Sequence, residues 1–148
     1  SHTMGGQLNF RCEKRQRRRM RAADTNLLVR LLVRDDALQV EAAESFIAPG
    51  AWVSHLVLAE TLWVLDAVYD RTAAQLAAAI ELLLDHQSLT LQDVDTVRSA
   101  LGRCRGRPSL GFSDCLVLET ARKAGHLPLG TVDKGLARLE GVQKLSSS

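Results

Sequence analysis

Four carboxylates stand at positions where a freely solvated acid is unusual. Asp24 interrupts Ala22-Ala23-Asp24-Thr25-Asn26-Leu27-Leu28, and Glu60 lies inside Val57-Leu58-Ala59-Glu60-Thr61-Leu62-Trp63-Val64. Asp114 opens Asp114-Cys115-Leu116-Val117-Leu118, and Asp133 closes Leu127-Pro128-Leu129-Gly130-Thr131-Val132-Asp133. Charged side chains seldom enter apolar surroundings without a partner. If the four converge, the partner that suits an all-oxygen donor set is a hard divalent cation, Mg2+ or Mn2+. Such a cation offsets the repulsion among crowded carboxylates and assists hydrolysis of phosphate esters. Asn26, Ser113 and Thr131 lie beside three of the acids and are expected to support the site by hydrogen bonding. Capping of the following helix explains Ser113 as readily.

Each acid also has a purely structural explanation. Glu60 has Leu56, Val57, Trp63 and Val64 at its helical i−4, i−3, i+3 and i+4 positions, all apolar. Either it is held in an apolar face by a partner, or it sits at the edge of that face and reaches water. Asp24, at a strand end, could cap the next helix. Asp114 and Asp133 stand at helix starts, where the helix dipole favours Asp without any function. These last two therefore depend on the ensemble.

Other chemistries find less support. His55 and His86 show no metal-ligand spacing and no nucleophile partner, and neither a GxxxxGK[ST] loop nor a GxGxxG motif occurs. Trp52 and Trp63 are expected in the core or an interface rather than as base-stacking platforms.

The acids must be positioned by alternating elements. Arg21–Thr25, Ala51–Val53, Leu89–Leu91 and Leu127–Thr131 read as short apolar strands, with Gly141–Leu145 as an edge strand. Helices are expected over Leu27–Val33, from Asp35 or Asp36 to Ile47, His55–Tyr69, Ala73–Leu84, Asp93–Cys104 and Asp114–Lys123, with a short one over Asp133–Leu139. Ser54, Thr72, Asp93 and Ser113 are the candidate caps, and Gly125 is the stop signal after Lys123. Strands alternating with helices imply a mainly parallel sheet covered on both faces, an α/β fold. Ligands in such sheets bind beyond the carboxyl ends of the strands, where the strand order reverses. Asp24 and Asp133 fall at such ends.

The 148 residues suffice for one domain, and 46% apolar with 24% charged residues is a globular composition. No stretch approaches the roughly 20 apolar residues of a membrane span, and no secretory signal is visible. Cys12, Cys104 and Cys115 form no CxxC pair, which argues against a disulfide framework or structural zinc and fits the cytoplasm. Residues 1–23 hold seven Lys/Arg and one acid, whereas the rest of the chain holds 12 basic and 16 acidic residues. The body is acidic, and the start of the chain makes the balance look basic. Residues 1–19 read as a basic leader, a tag remnant or disordered, and residues 20–148 as the domain.

Taken in order, Ala23-Asp24-Thr25-Asn26 with Leu27-Leu28-Val29-Arg30, Val57-Leu58-Ala59-Glu60-Thr61, Gly111-Phe112-Ser113-Asp114 and Thr131-Val132-Asp133-Lys134 resemble a PIN domain. The closest similarity is to the VapC-type ribonuclease toxins of toxin–antitoxin pairs. The resemblance covers residues 20–145. It implies a three-layer α/β/α sandwich with a short, mainly parallel central sheet, and Mg2+- or Mn2+-dependent endoribonuclease activity. It also implies that Asp24, Glu60, Asp114 and Asp133 surround the metal, with Asn26 and Thr131 in support. A homodimer, an RNA substrate and a small antitoxin partner are further implications, with no membrane role. Val132 departs from a frequent aromatic and Cys115 from a usual alanine, and neither change removes a carboxylate. Because acids repel an RNA backbone, basic residues at the rim must contact phosphate. Arg30, Arg34, Arg103, Arg105, Arg107 and Lys134 are candidates. The competing readings are a PIN-like RNA-binding or scaffold module without catalysis, and a receiver-like phosphotransfer domain. For the latter, Leu89-Thr90-Leu91-Gln92-Asp93 is a poor match.

Overall fold

The computed structural model describes residues 20–107 and 109–146, so the leader expected over residues 1–19 lies outside the described residues. The chain begins with β1 (Arg21–Ala22), α1 (Thr25–Val33) and α2 (Ala37–Ile47). It continues through β2 (Ala51–Val53), α3 (His55–Ala67), α4 (Ala73–Asp85) and β3 (Leu89–Leu91). It then forms α5 (Val94–Arg105), α6 (Phe112–Ala124), β4 (Leu129–Thr131), a 3-10 turn (Leu136–Arg138) and β5 (Val142–Lys144). The fold is a three-layer α/β/α sandwich with a short parallel sheet, as expected.

The sheet runs β1-β2-β3 with Ala22 opposite Trp52 and Trp52 opposite Thr90; β4 and β5 form a separate parallel pair. Hydrogen bonding between the described strands therefore defines no reversal of strand order. The first strand is also shorter than expected. Only the amide of Ala23 extends the ladder, to the Trp52 carbonyl at 2.9 Å, because Asp24 has already turned to cap α1. Arg21 anchors this strand by lying 3.9 Å over the Phe46 ring and donating to the Phe46 carbonyl.

Helix starts follow local chemistry. The carboxylate of Asp36 caps α2, the Ser54 hydroxyl caps α3, and Thr72 forms a reciprocal capping box with Gln75 at α4. Asp93 caps α5 from a left-handed backbone (φ 45°). At α6 the expectation needs correction. The helix starts at Phe112, two residues before Asp114, its cap position is Gly111, and the Ser113 hydroxyl makes no capping bond. The helix expected over Asp133–Leu139 shrinks to the 3-10 turn at Leu136–Arg138.

Leu28, Ile47, Val53, Leu58, Ile80, Leu83 and Leu118 are fully buried, so every layer contributes to one continuous core. Within it α1 packs on α2 and α3, and α5 packs on α6. The cover expected on both sheet faces is incomplete at Trp52 and Thr90, which alternate with buried neighbours. No helix among the described residues is long and apolar enough to cross a membrane.

Candidate active site

Asp24 and Glu60 come from elements that pack together. Asp24 follows β1 and caps α1, its Oδ1 accepting from the Leu27 amide at 2.9 Å. One residue later, the Thr25 hydroxyl donates to Glu60 Oε2 on α3 at 3.0 Å. A single bond thus ties the acid of the third helix to the turn that carries the first acid. The structural explanation for Asp24, a helix cap, is true, yet it occupies only one carboxylate oxygen.

Asp114 and Asp133 come from the other side of the chain. Asp114 lies in the first turn of α6, and its Oδ2 stands 3.9 Å from where a side chain at Gly111 would begin. Asp133 Oδ2 accepts from the Leu136 amide at 2.7 Å, while its own amide donates to the Thr131 hydroxyl at 3.1 Å. Gly135 sits close against this turn. A Cβ there would meet Asp133 Oδ2 at 3.3 Å and Leu110 at 3.6 Å. Through Leu110 and Gly111, the Asp133 turn and the start of α6 are neighbours.

All four acids are solvent-exposed. The apolar surroundings of Glu60 are real in sequence but partly open in space, since Leu56 is 69% and Trp63 68% exposed. Glu60 therefore stands in an exposed apolar strip. The buried acid is one the sequence argument missed: Glu119 is 7% exposed, with Arg122 at 3.1 Å and Arg103 at 3.8 Å. Its i,i+3 spacing to Arg122 was the available signal. This trio ties α6 to α5, and Arg122 also donates to the Glu140 carbonyl, so its role is structural.

Of the supporting residues, Thr131 bonds the Asp133 backbone as described, whereas Asn26 and Ser113 are exposed with no side-chain bond among the described residues. Thr25, adjacent to Asp24, carries the bond that Asn26 was expected to supply. Burial pushes the Cys104 thiol up and the Cys115 thiol up to about 11, which disfavours the thiolate that a nucleophile needs. His55 is engaged with Gln92, donating from Nε2 to its carbonyl at 2.7 Å.

Among the described residues, no three His, Cys, Asp or Glu side chains are gathered closely enough to hold one ion. The Asp24 turn is instead tied to Glu60 through Thr25, and the Asp133 turn adjoins, through Leu110, the segment that leads into Asp114. The chemistry of the four acids fits Mg2+, which takes one or two protein carboxylates and keeps several waters rather than needing an all-protein cage. Basic residues sort clearly. Arg30, Arg34, Arg103 and Arg105 are engaged with Asp35, Glu44, Glu119 and Glu81. Arg107 and Lys134 are exposed and carry no ion pair among the described residues.

The chain is an α/β/α sandwich with carboxylates just beyond the ends of β1 and β4. The PIN domain family matches residues 22–142, and the chain belongs to that family, whose members are generally nucleases. Members typically use divalent metals. No curated protein and no solved structure matched the chain.

Proposed function

We propose that this protein is a metal-dependent endoribonuclease that hydrolyses RNA phosphodiester bonds, the toxin component of a VapBC-type pair acting in the cytoplasm as a homodimer. Residues 20–148 form its catalytic domain. The observation that carries the reading is the Thr25–Glu60 bond, which couples the acid on α3 to the one at the end of β1. Asp24, Glu60, Asp114 and Asp133 would hold Mg2+ or Mn2+. A bound ion of this kind supplies Lewis acidity and an activated water.

The chain's own contribution is orientation. The Leu27 and Leu136 amides each fix one oxygen of Asp24 and Asp133, leaving the second oxygen of each available. Thr25 does the same for Glu60. Arg107 and Lys134 remain available for phosphate, and a small antitoxin would silence the site by covering it.

The test is cleavage of a structured RNA with Mg2+, comparing the parent with Asp24→Asn and Asp114→Asn. Loss of cleavage in both variants and in excess EDTA is expected. Equal rates in all three proteins, or cleavage indifferent to EDTA, overturn the reading. The spread of the carboxylates favours one alternative, an RNA-binding or scaffold module without catalysis. RNA bound tightly yet intact after long incubation with Mn2+ would establish it.

A further inference from the structure

Of the two tryptophans, Trp63 is the more exposed, at 68% against 37% for Trp52. It does not stand alone. It lines a groove of about 820 Å³ between α3, the start of α4 and the loop into α6, together with Asp66, Arg71, Arg105, Gly111 and Ser113. That volume lies within the ~300–1,000 Å³ of clefts that hold small organic ligands.

Neither Glu60 nor Asp114 lines the groove, but each lies close along the chain to a residue that does. Glu60 precedes Trp63 by three residues on α3, so both project from the same helix face. At the other wall, Ser113 immediately precedes Asp114. The polar rim is mixed. Asp66 is acidic, Arg105 is shared with Glu81 at 2.7 Å, and Arg71 is half-buried with no ion-pair partner among the described residues. An occupant therefore needs a flat apolar face for the indole and an anionic group for Arg71, held away from Asp66. A nucleotide has both. A base inside a duplex presents neither face to a side chain, so the base must be unpaired.

We propose that this groove is the substrate subsite for an unpaired RNA nucleotide, with its base stacked on Trp63 and its phosphate facing Arg71. The inference rests on the ribonuclease reading and names the residues that seat the substrate: Trp63 by stacking on a base and Arg71 by charge on its phosphate. Trp63 is then a positioning residue for the scissile strand, which explains why a tryptophan stays exposed one helical turn from Glu60.

The protein has two tryptophans, so Trp52→Phe leaves Trp63 as the sole indole fluorophore. This full-length variant is titrated in EDTA with a short unpaired RNA and with the same sequence closed in a hairpin stem, while anisotropy of a labelled RNA reports binding. Quenching by the unpaired RNA only is expected. So is a roughly tenfold weaker affinity for Trp63→Ala, with Trp63→Phe retaining most of it. Circular dichroism checks that both variants fold. Unchanged emission at saturating bound RNA, equal affinity of Trp63→Ala and parent, or no binding of either RNA would overturn the proposal. Cleavage assays with Mg2+ separate the two readings. RNA that quenches Trp63 but is never cut leaves the subsite standing and removes the nuclease. RNA cut with the same kcat/KM by Trp63→Ala does the reverse.

Discussion

Glu60 owes its orientation to a hydroxyl on another helix. A long carboxylate on an exposed helix face samples several rotamers, and the 3.0 Å bond from Thr25 selects one. Second-sphere bonds of this kind often cost 10- to 100-fold in activity or metal affinity when removed. Thr25→Val keeps the branched shape at the first position of α1 and removes only the donor. A fall in kcat of about tenfold, with unchanged thermal unfolding, is the expected result in a steady-state cleavage assay. An unchanged kcat would show that Glu60 needs no such support. The Thr25 position was within the motif that suggested the family. Its partner was not legible, because 35 residues separate it from Glu60 and only folding brings them together.

At the scale of elements, capping residues did most of what the sequence suggested. Asp36, Ser54, Thr72, Asp93 and Gly125 all occupy the terminal positions expected of them. Ser113 fails because Phe112 is buried at 8% exposure and draws the start of α6 two residues earlier than the capping signal indicated. A buried aromatic outweighs a single side-chain cap. Gly125 ends α6 in the left-handed region at φ 83°, with the His126 amide returning to the Ala121 carbonyl and its own to Arg122. A Cβ there would meet nothing within 4 Å, so Gly125→Ala tests backbone strain alone. A stability loss of about 1–2 kcal/mol in urea denaturation is expected, with cleavage unaffected. A loss well under that would mean the terminus relaxes to another conformation.

Across the whole molecule, one charge pair links distant parts of the chain. Lys123, in the last turn of α6, reaches Asp93 at the start of α5 at 2.6 Å. That hydrogen bond, aided by the Thr96 hydroxyl, lowers the Asp93 carboxyl from 3.8 to about 2. A folded-state value below the unfolded one adds stability that is full above about pH 4 and is lost as pH falls through about 2. Asp93→Asn keeps a good cap and tolerates the left-handed backbone while removing the charge. It should unfold at a lower temperature than the parent at pH 7, with the gap closing as the pH approaches about 2. A gap that persists at low pH would assign the effect to the cap instead.

The sequence by itself determined the alternation of strands and helices, the ends of most helices and the ordered carboxylate set. Periodicity, capping chemistry and residue order are local properties of the chain. It also supported membership of the PIN family, since the motifs sit in a recognisable order along it. Only the tertiary structure decided which apolar side chains remain in water and which acids become neighbours. Leu56 and Trp63 carry the same apolar pattern as buried Leu58 and Leu62, and exposure separates them only once α3 has chosen which face meets α1. Of the two readings open for Glu60, the structure takes the one at the edge of the apolar face in contact with water, and Glu119 is the buried acid. The distinction depends on packing across elements, because burial is a property of the layer that covers a side chain and not of its sequence neighbours.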